Sequence, residues 1–222
     1  MVEMAAVFFA VLSLYAVLSA GRRLETRWIL LAGLLAGLAA ATKVWALLVG
    51  PAALAAILVL HGTDTIRNPR HLVSSLFIFS FGFGVVLGPW FLRNYIASGD
   101  PLWPIGYPVF HGEMWTDWHF EKFSNWETGP GRSVVDFVLG PWNLTNWIEA
   151  FTKDKGPLSG ALLSPLLLIF IPAAWLFKAG RDKSVSGMLS LLAIFAFVVY
   201  VIWFFGYQQP RYIQVIHPVL SI

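Results

Sequence analysis

The chain has 222 residues, of which 58% are hydrophobic and 12% charged, about half the ~25% charged share of soluble domains. Polar side chains are too few to cover a soluble domain, the same composition excludes a disordered chain, and the absence of cysteine excludes a disulfide scaffold. The net charge of +3 comes from basic residues scattered in short loops between apolar runs, a pattern that sets membrane topology and gives no reason to expect nucleic acid as a partner. An all-α polytopic transmembrane fold remains, read as one domain over 1–222.

The first apolar run, 4–20, is about 25 Å of helix, just enough to span. Glu3 precedes it and Arg22, Arg23 and Arg27 follow it, the reverse of a signal peptide's charge order, so it is expected to be a retained helix. Residues 28–60 would form a helix of about 50 Å, too long for one ordinary crossing, with Lys43 near the bilayer centre. A break near Thr42-Lys43 is therefore expected, giving a hairpin of two short arms, 28–41 and 44–60. Gly33 and Gly37 form a GxxxG that suits close helix packing in the first arm.

Further spans are expected at 72–92, 160–177 and 186–205, and the apolar stretch 213–222 is expected to be half a helix. That makes about six membrane segments. With two arms at 28–60, the loops at 21–27, 61–71 and 178–185 share one side and carry three, two and three Lys/Arg, which makes that side cytoplasmic. Lys43 and Arg211 lie opposite. The long connection, 93–158, then forms an external loop with eight of the twelve acidic residues and Trp103, Trp115, Trp118, Trp126, Trp142 and Trp147. Trp side chains suit the membrane interface, and a connection this long is uncommon unless it is functional.

Lys43 is the most pointed single residue. An ammonium inside an apolar run costs roughly 2.5–3.5 kcal/mol on insertion scales unless it snorkels or serves a purpose. Arg93 and Arg211 fall on the same side, and three cations at one membrane face suit a lipid phosphate, whose charge they would stabilise on departure. The segment His111-Gly-Glu113, Asp117, His119 and Glu121 holds metal-ligand residue types but no established ligand spacing, so neither a metal nor another cofactor is expected. Asn143-Leu144-Thr145 is a glycosylation sequon.

Three segments, taken together, resemble the polytopic C-type (GT-C) glycosyltransferases, especially the protein O-mannosyltransferases and the aminoarabinose-to-lipid-A transferases. They are Gly33-Leu34 with Thr42-Lys43; Gly88-Pro89-Trp90 with Arg93-Asn94 and Gly99-Asp100-Pro101, where Asn is commoner than Asp100; and Gln209-Pro210-Arg211-Tyr212 with Pro218. The resemblance implies a multi-pass protein of the plasma or inner membrane. It implies transfer of a sugar from a polyprenyl-phosphate donor to an acceptor hydroxyl, on protein or lipid, at the external face. Lys43, Arg93, Arg211 and Tyr212 would hold the lipid phosphate. The general base of these families lies in a first external loop that would precede this chain. The chain is thus expected to be an inactive fragment truncated at both ends, with Glu3 not taken as the base. A transporter or lipid flippase, and a non-catalytic assembly subunit, are the alternatives; an intramembrane lysine and Gly-rich packing fit a transporter too.

Overall fold

A computed structural model describes residues 2–21, 23–61, 69–126, 131–146, 183–206 and 208–220. Among them every regular element is helical. In chain order these are α1 (Val2–Ala20), α2 (Thr26–Thr42), a 3₁₀ turn (Val44–Leu48), α3 (Val49–His61) and α4 (Pro69–Ser98). Then come α5 (Tyr107–Phe110), α6 (Asp117–Trp126), α7 (Val134–Asn146), α8 (Lys183–Phe205), a second 3₁₀ turn (Pro210–Ile213) and α9 (Ile216–Leu220). Among the described residues three stretches are long and apolar enough to cross a membrane: Val2–Ala20, Pro69–Ser98 and Gly187–Phe205. They point to a membrane protein. The expected span at 160–177 lies outside the described residues, as does Trp147.

Small residues decide how the helices meet. On α1 the buried positions Ala6, Ala10, Ser13 and Val17 recur at helical spacing and make a smooth face. Ser13 donates its hydroxyl across that face to the Ala32 carbonyl at 2.8 Å. α2 is the centre of the bundle, packed between α1 and α4. Its Gly33 rests directly on the Phe79 carbonyl. A methyl group at Gly37 would come within 2.8 Å of Val86 Cβ and 3.0 Å of the Phe83 carbonyl oxygen. From the other side, a methyl at Gly82 would come within 2.9 Å of the Leu30 carbonyl oxygen. Residue numbers rise together along both helices, so α2 and α4 run parallel. α3 packs against α8.

α4 presents the opposite chemistry on its outer side. Val73, Phe77, Phe81 and Val85 recur every four residues and are all exposed, as expected of a face turned to lipid. The sequence suggested that this span ends at residue 92 and that a loop begins at Arg93. Instead the helix continues to Ser98, so Arg93 is a helical residue and the connection starts at Gly99. No helix breaker stands between them. The helix stops where Gly99 takes a left-handed conformation (φ +74) and its N–H caps the Tyr95 carbonyl at 2.9 Å. The apolar stretch from 213 is also divided: a 3₁₀ turn comes first, then the short α9, with Ile213, Val215, Ile216 and Val219 buried.

Glycine positions on these helices separate packing from propensity. Gly33→Ala forces its methyl into the Phe79 backbone and should lower the melting temperature in detergent. Gly84→Ala meets nothing within 4 Å and should be neutral or raise stability by up to about 1 kcal/mol, the helix-propensity gain over glycine. Equal melting temperatures for the two variants would contradict the α2–α4 contact.

Candidate functional site

The apolar run 28–60 is not one continuous helix. Pro51 has no N–H and its ring crowds the carbonyl of Leu47, which favours a helix that starts within the preceding turn, as α3 does at Val49. α2 ends at Thr42, whose hydroxyl bonds back to the Leu38 carbonyl at 2.7 Å. Lys43 is extended (φ −154, ψ 127), and the 3₁₀ turn then leads into α3. The backbone stays satisfied: the Lys43 N–H donates to Ala39 at 3.2 Å, and the Lys43 carbonyl accepts from Ala46 at 2.9 Å.

The Lys43 ammonium meets Glu3, 40 residues earlier, with Nζ 2.6 Å from Oε1. Both side chains are about three-quarters buried, at 28% and 27% exposure. Sequence reasoning set Glu3 aside, yet it answers the cost of placing a lysine at this depth. The next residue but one, Trp45, is buried and stacks on Tyr212, with ring centroids 5.9 Å apart and planes at 17°. Trp45 Nε1 has no hydrogen-bond partner among the described residues. The turn bearing Tyr212 is held in turn by α8. Trp203 Nε1 donates to the Gln209 carbonyl at 2.7 Å, and the buried Gln208 amide donates to Phe204 and Gly131, each at 2.9 Å.

Two chain breaks thus meet at one end of the bundle, beside the start of α1. Lys43 and Tyr212, two of the four residues expected at a phosphate site, are brought together through Trp45. Arg93 is exposed on α4. Because α2 and α4 run parallel, their register carried about two turns beyond Gly37 sets Lys43 level with the Trp90–Arg93 turn. The backbone of Arg211 lies in the same turn as Tyr212; its side chain lies outside the described residues. The opposite end of the bundle holds Arg23, Arg27 and the starts of α4 and α8.

The connection after α4 is built on a second polar residue. Asp100 is fully buried, and its Oδ1 accepts the Leu102 N–H at 2.8 Å, closing an Asx turn. Gly106 and Gly112 press on it so closely that a Cβ at either would collide. Asp100 Oδ2 and Trp103 Nε1 are buried without a hydrogen-bond partner among the described residues. Around this turn Trp103 packs on Trp115 (5.9 Å), Trp115 on Phe123 (5.1 Å) and Tyr107 on Phe120 (5.5 Å). Trp103 and Trp115 are half-buried and pack within the loop itself. Tyr107 donates to Asp117 at 3.0 Å; desolvation first, and that carboxylate second, raise its pKa above 10.0.

Three residues of metal-ligand type in this region, His111, Asp117 and His119, have local partners. His111 ends α5 in a left-handed conformation (φ 46) against the Tyr107 ring, and the His119 ring accepts the Thr116 N–H at 3.3 Å at the start of α6. Among the described residues no three His, Asp or Glu side chains gather as a metal site.

Two predictions follow from these pairs. Glu3→Gln and Lys43→Met should each destabilise the detergent-solubilised protein, by roughly 1–3 kcal/mol for a partly buried ion pair. The double variant should lose clearly less than the sum, because the two side chains share one interaction. Additive losses in thermal melts would show that the pair is not coupled. At the turn, Asp100→Asn keeps the Oδ1 acceptor and should leave stability unchanged. Asp100→Ala strands the Leu102 N–H and should cost about 1–3 kcal/mol, read in the same melts.

The family model that matches, over residues 4–217, is described as a domain of unknown function. No curated protein and no solved structure matches the chain.

Proposed function

The chain belongs to the family described as Domain of unknown function (DUF8201), and from its own residues we propose that the full-length protein is a membrane glycosyltransferase. Its donor is a polyprenyl-phosphate sugar and its acceptor a hydroxyl of protein or lipid at the external face. The observation that carries this reading is the meeting of Lys43, paired with Glu3, and the Trp45–Tyr212 stack at one end of an apolar bundle. The glycosyltransferase resemblance of the segments that supply Lys43, Arg93 and Tyr212 adds to it.

An ammonium has three N–H donors, and Glu3 accepts one. The pair holds the Lys43 ammonium in place, and its remaining donors can face a lipid phosphate. In the transfer, the acceptor oxygen loses its proton to a base and attacks the anomeric carbon. The bond from that carbon to the phosphate oxygen breaks, and the phosphate leaves with both bonding electrons. Lys43, with Arg93 and Arg211, supplies positive charge for that leaving group. Tyr212 and Trp45 offer a flat apolar wall beside it.

The same reading orders the membrane segments. The Lys43 end is external, and the basic loops at 21–27, 61–71 and 178–185 are cytoplasmic, in keeping with the positive-inside rule. α1, the two short arms α2 and α3, α4, the apolar run 160–177 and α8 then make six segments, and the connection after α4 starts outside.

Binding tests the proposal directly. The protein in lipid nanodiscs should bind a short-chain polyprenyl-phosphate sugar, followed by quenching of tryptophan fluorescence. Lys43→Ala should weaken that binding about tenfold to a hundredfold, the scale of a charged hydrogen bond. Arg23→Ala, at the opposite end, should not change it. Normal binding by a well-folded Lys43→Ala protein would remove the phosphate role. Movement of the donor lipid between leaflets, catalysed by the protein, would instead favour a flippase.

A further inference from the structure

We infer that α7, which the sequence places in an external aqueous loop, lies at bilayer depth beside α8, with its outward face in lipid acyl chains. The inference needs only that α8 crosses the membrane, and is independent of the transferase reading.

Four contacts fix where α7 sits. The Gln208 side-chain amide donates to the Gly131 carbonyl at 2.9 Å, and Arg132 Nη2 donates to the Gly206 carbonyl at 3.1 Å. Further along, the Tyr200 hydroxyl donates to the Phe137 carbonyl at 2.5 Å, and Gly140 packs against that same hydroxyl. Residue numbers rise on α7 as they fall on α8, so α7 runs antiparallel to α8 and away from its Phe205 end. At 1.5 Å per residue, Tyr200 lies about 7 Å below Phe205, and the level of Trp142 is about 12 Å below it. Half of the hydrocarbon core is about 15 Å. The middle of α7 therefore occupies the depth of the acyl chains.

The chemistry of α7 agrees with that depth. Val134, Val135, Val138, Leu139 and Trp142 form one face, exposed at 80, 64, 69, 46 and 59%. Phe137, Gly140 and Leu144 form the other, against Tyr200 and Phe204. No charged residue stands between Asp136 and Glu149. At the end nearest water Ser133 and Asp136 form a reciprocal cap: the Ser133 hydroxyl donates to the carboxylate at 2.7 Å, and the Asp136 N–H donates to Ser133 Oγ at 3.1 Å. At the other end the buried Thr145 satisfies its hydroxyl within the helix, donating to the Pro141 carbonyl at 2.9 Å. Lipid demands that each backbone group be satisfied internally. Pro141 has no N–H, which leaves the Phe137 carbonyl without its helical donor. The Tyr200 hydroxyl takes that donor's place. Lipid is the occupant that fits, because α8 turns Phe197 (54% exposed) and Ile202 (36%) outward at the same levels. A consequence is that Asn143-Leu144-Thr145, helical and with Leu144 and Thr145 buried, should carry no glycan.

The chain has no cysteine, so single cysteines report depth without background. In lipid nanodiscs Val138→Cys should react with a membrane-impermeant maleimide about tenfold or more slowly than Glu113→Cys, since an apolar surrounding suppresses the thiolate. A fluorophore placed on Val138→Cys in detergent, then reconstituted, should be quenched by nitroxides on the acyl chains. Equal labelling rates for the two cysteines would overturn the inference. So would a protected Val138→Cys whose fluorophore the nitroxides leave unquenched, which would mean that protein covers the face. Leu139→Cys reads the same face and replaces Val138→Cys if that variant fails to fold.

Discussion

The close approach of α2 and α4 at Gly33, Gly37 and Gly82 is the contact on which the rest of the molecule depends. Within a bilayer, burying apolar surface between helices gains little over lipid, so association rests on tight packing and on hydrogen bonds. Glycine removes the side chain that would keep the backbones apart. The Gly33 position also sets the relative height of the two helices, because it fits against the Phe79 carbonyl and has no room to slide. Once that height is set, the ends of both helices are set. Lys43 and Arg93 then come to one end of the bundle, and α1, joined to α2 by a tight turn, brings Glu3 back to the same end.

Lys43 illustrates how a costly residue is accommodated. The helix breaks beside it, and α3 starts again only at Val49, so the ammonium sits in a turn where it can reach a partner. Glu3 offsets the charge at 2.6 Å without enclosing it, since both groups keep about a quarter of their surface exposed. Trp45 and Tyr212 close the other side and tie this turn to the one after α8. The result is a charged and aromatic end on an otherwise apolar bundle.

The segment between α4 and α8 combines two environments that composition alone assigns to one. Its first part, around Asp100 and the Trp103–Trp115 pair, builds a small core of its own above α4. Its last described part, α7, descends along α8 and satisfies its own backbone with a tyrosine hydroxyl. The acidic residues and the tryptophans mark the segment as a whole as water-facing or interfacial.

Much of this protein was legible in the sequence. Apolar runs of sufficient length predict helices at 4–20 and 186–205, and helices stand there at Val2–Ala20 and Lys183–Phe205. Lys43 marked the interruption of the run 28–60, because an ammonium is out of place in an apolar helix. GxxxG marked the packing face of α2. Other features depended on the tertiary structure. Nothing local tells Glu3 that it faces Lys43, since the two come together only after α1 and α2 pack antiparallel. Nothing in the pattern of α7 says whether lipid or water lies beyond it, or that Tyr200 will take the carbonyl that Pro141 frees. Composition and periodicity report how apolar each face of a helix is. What covers that face depends on its depth and its neighbours, which are set by contacts between residues distant in the chain.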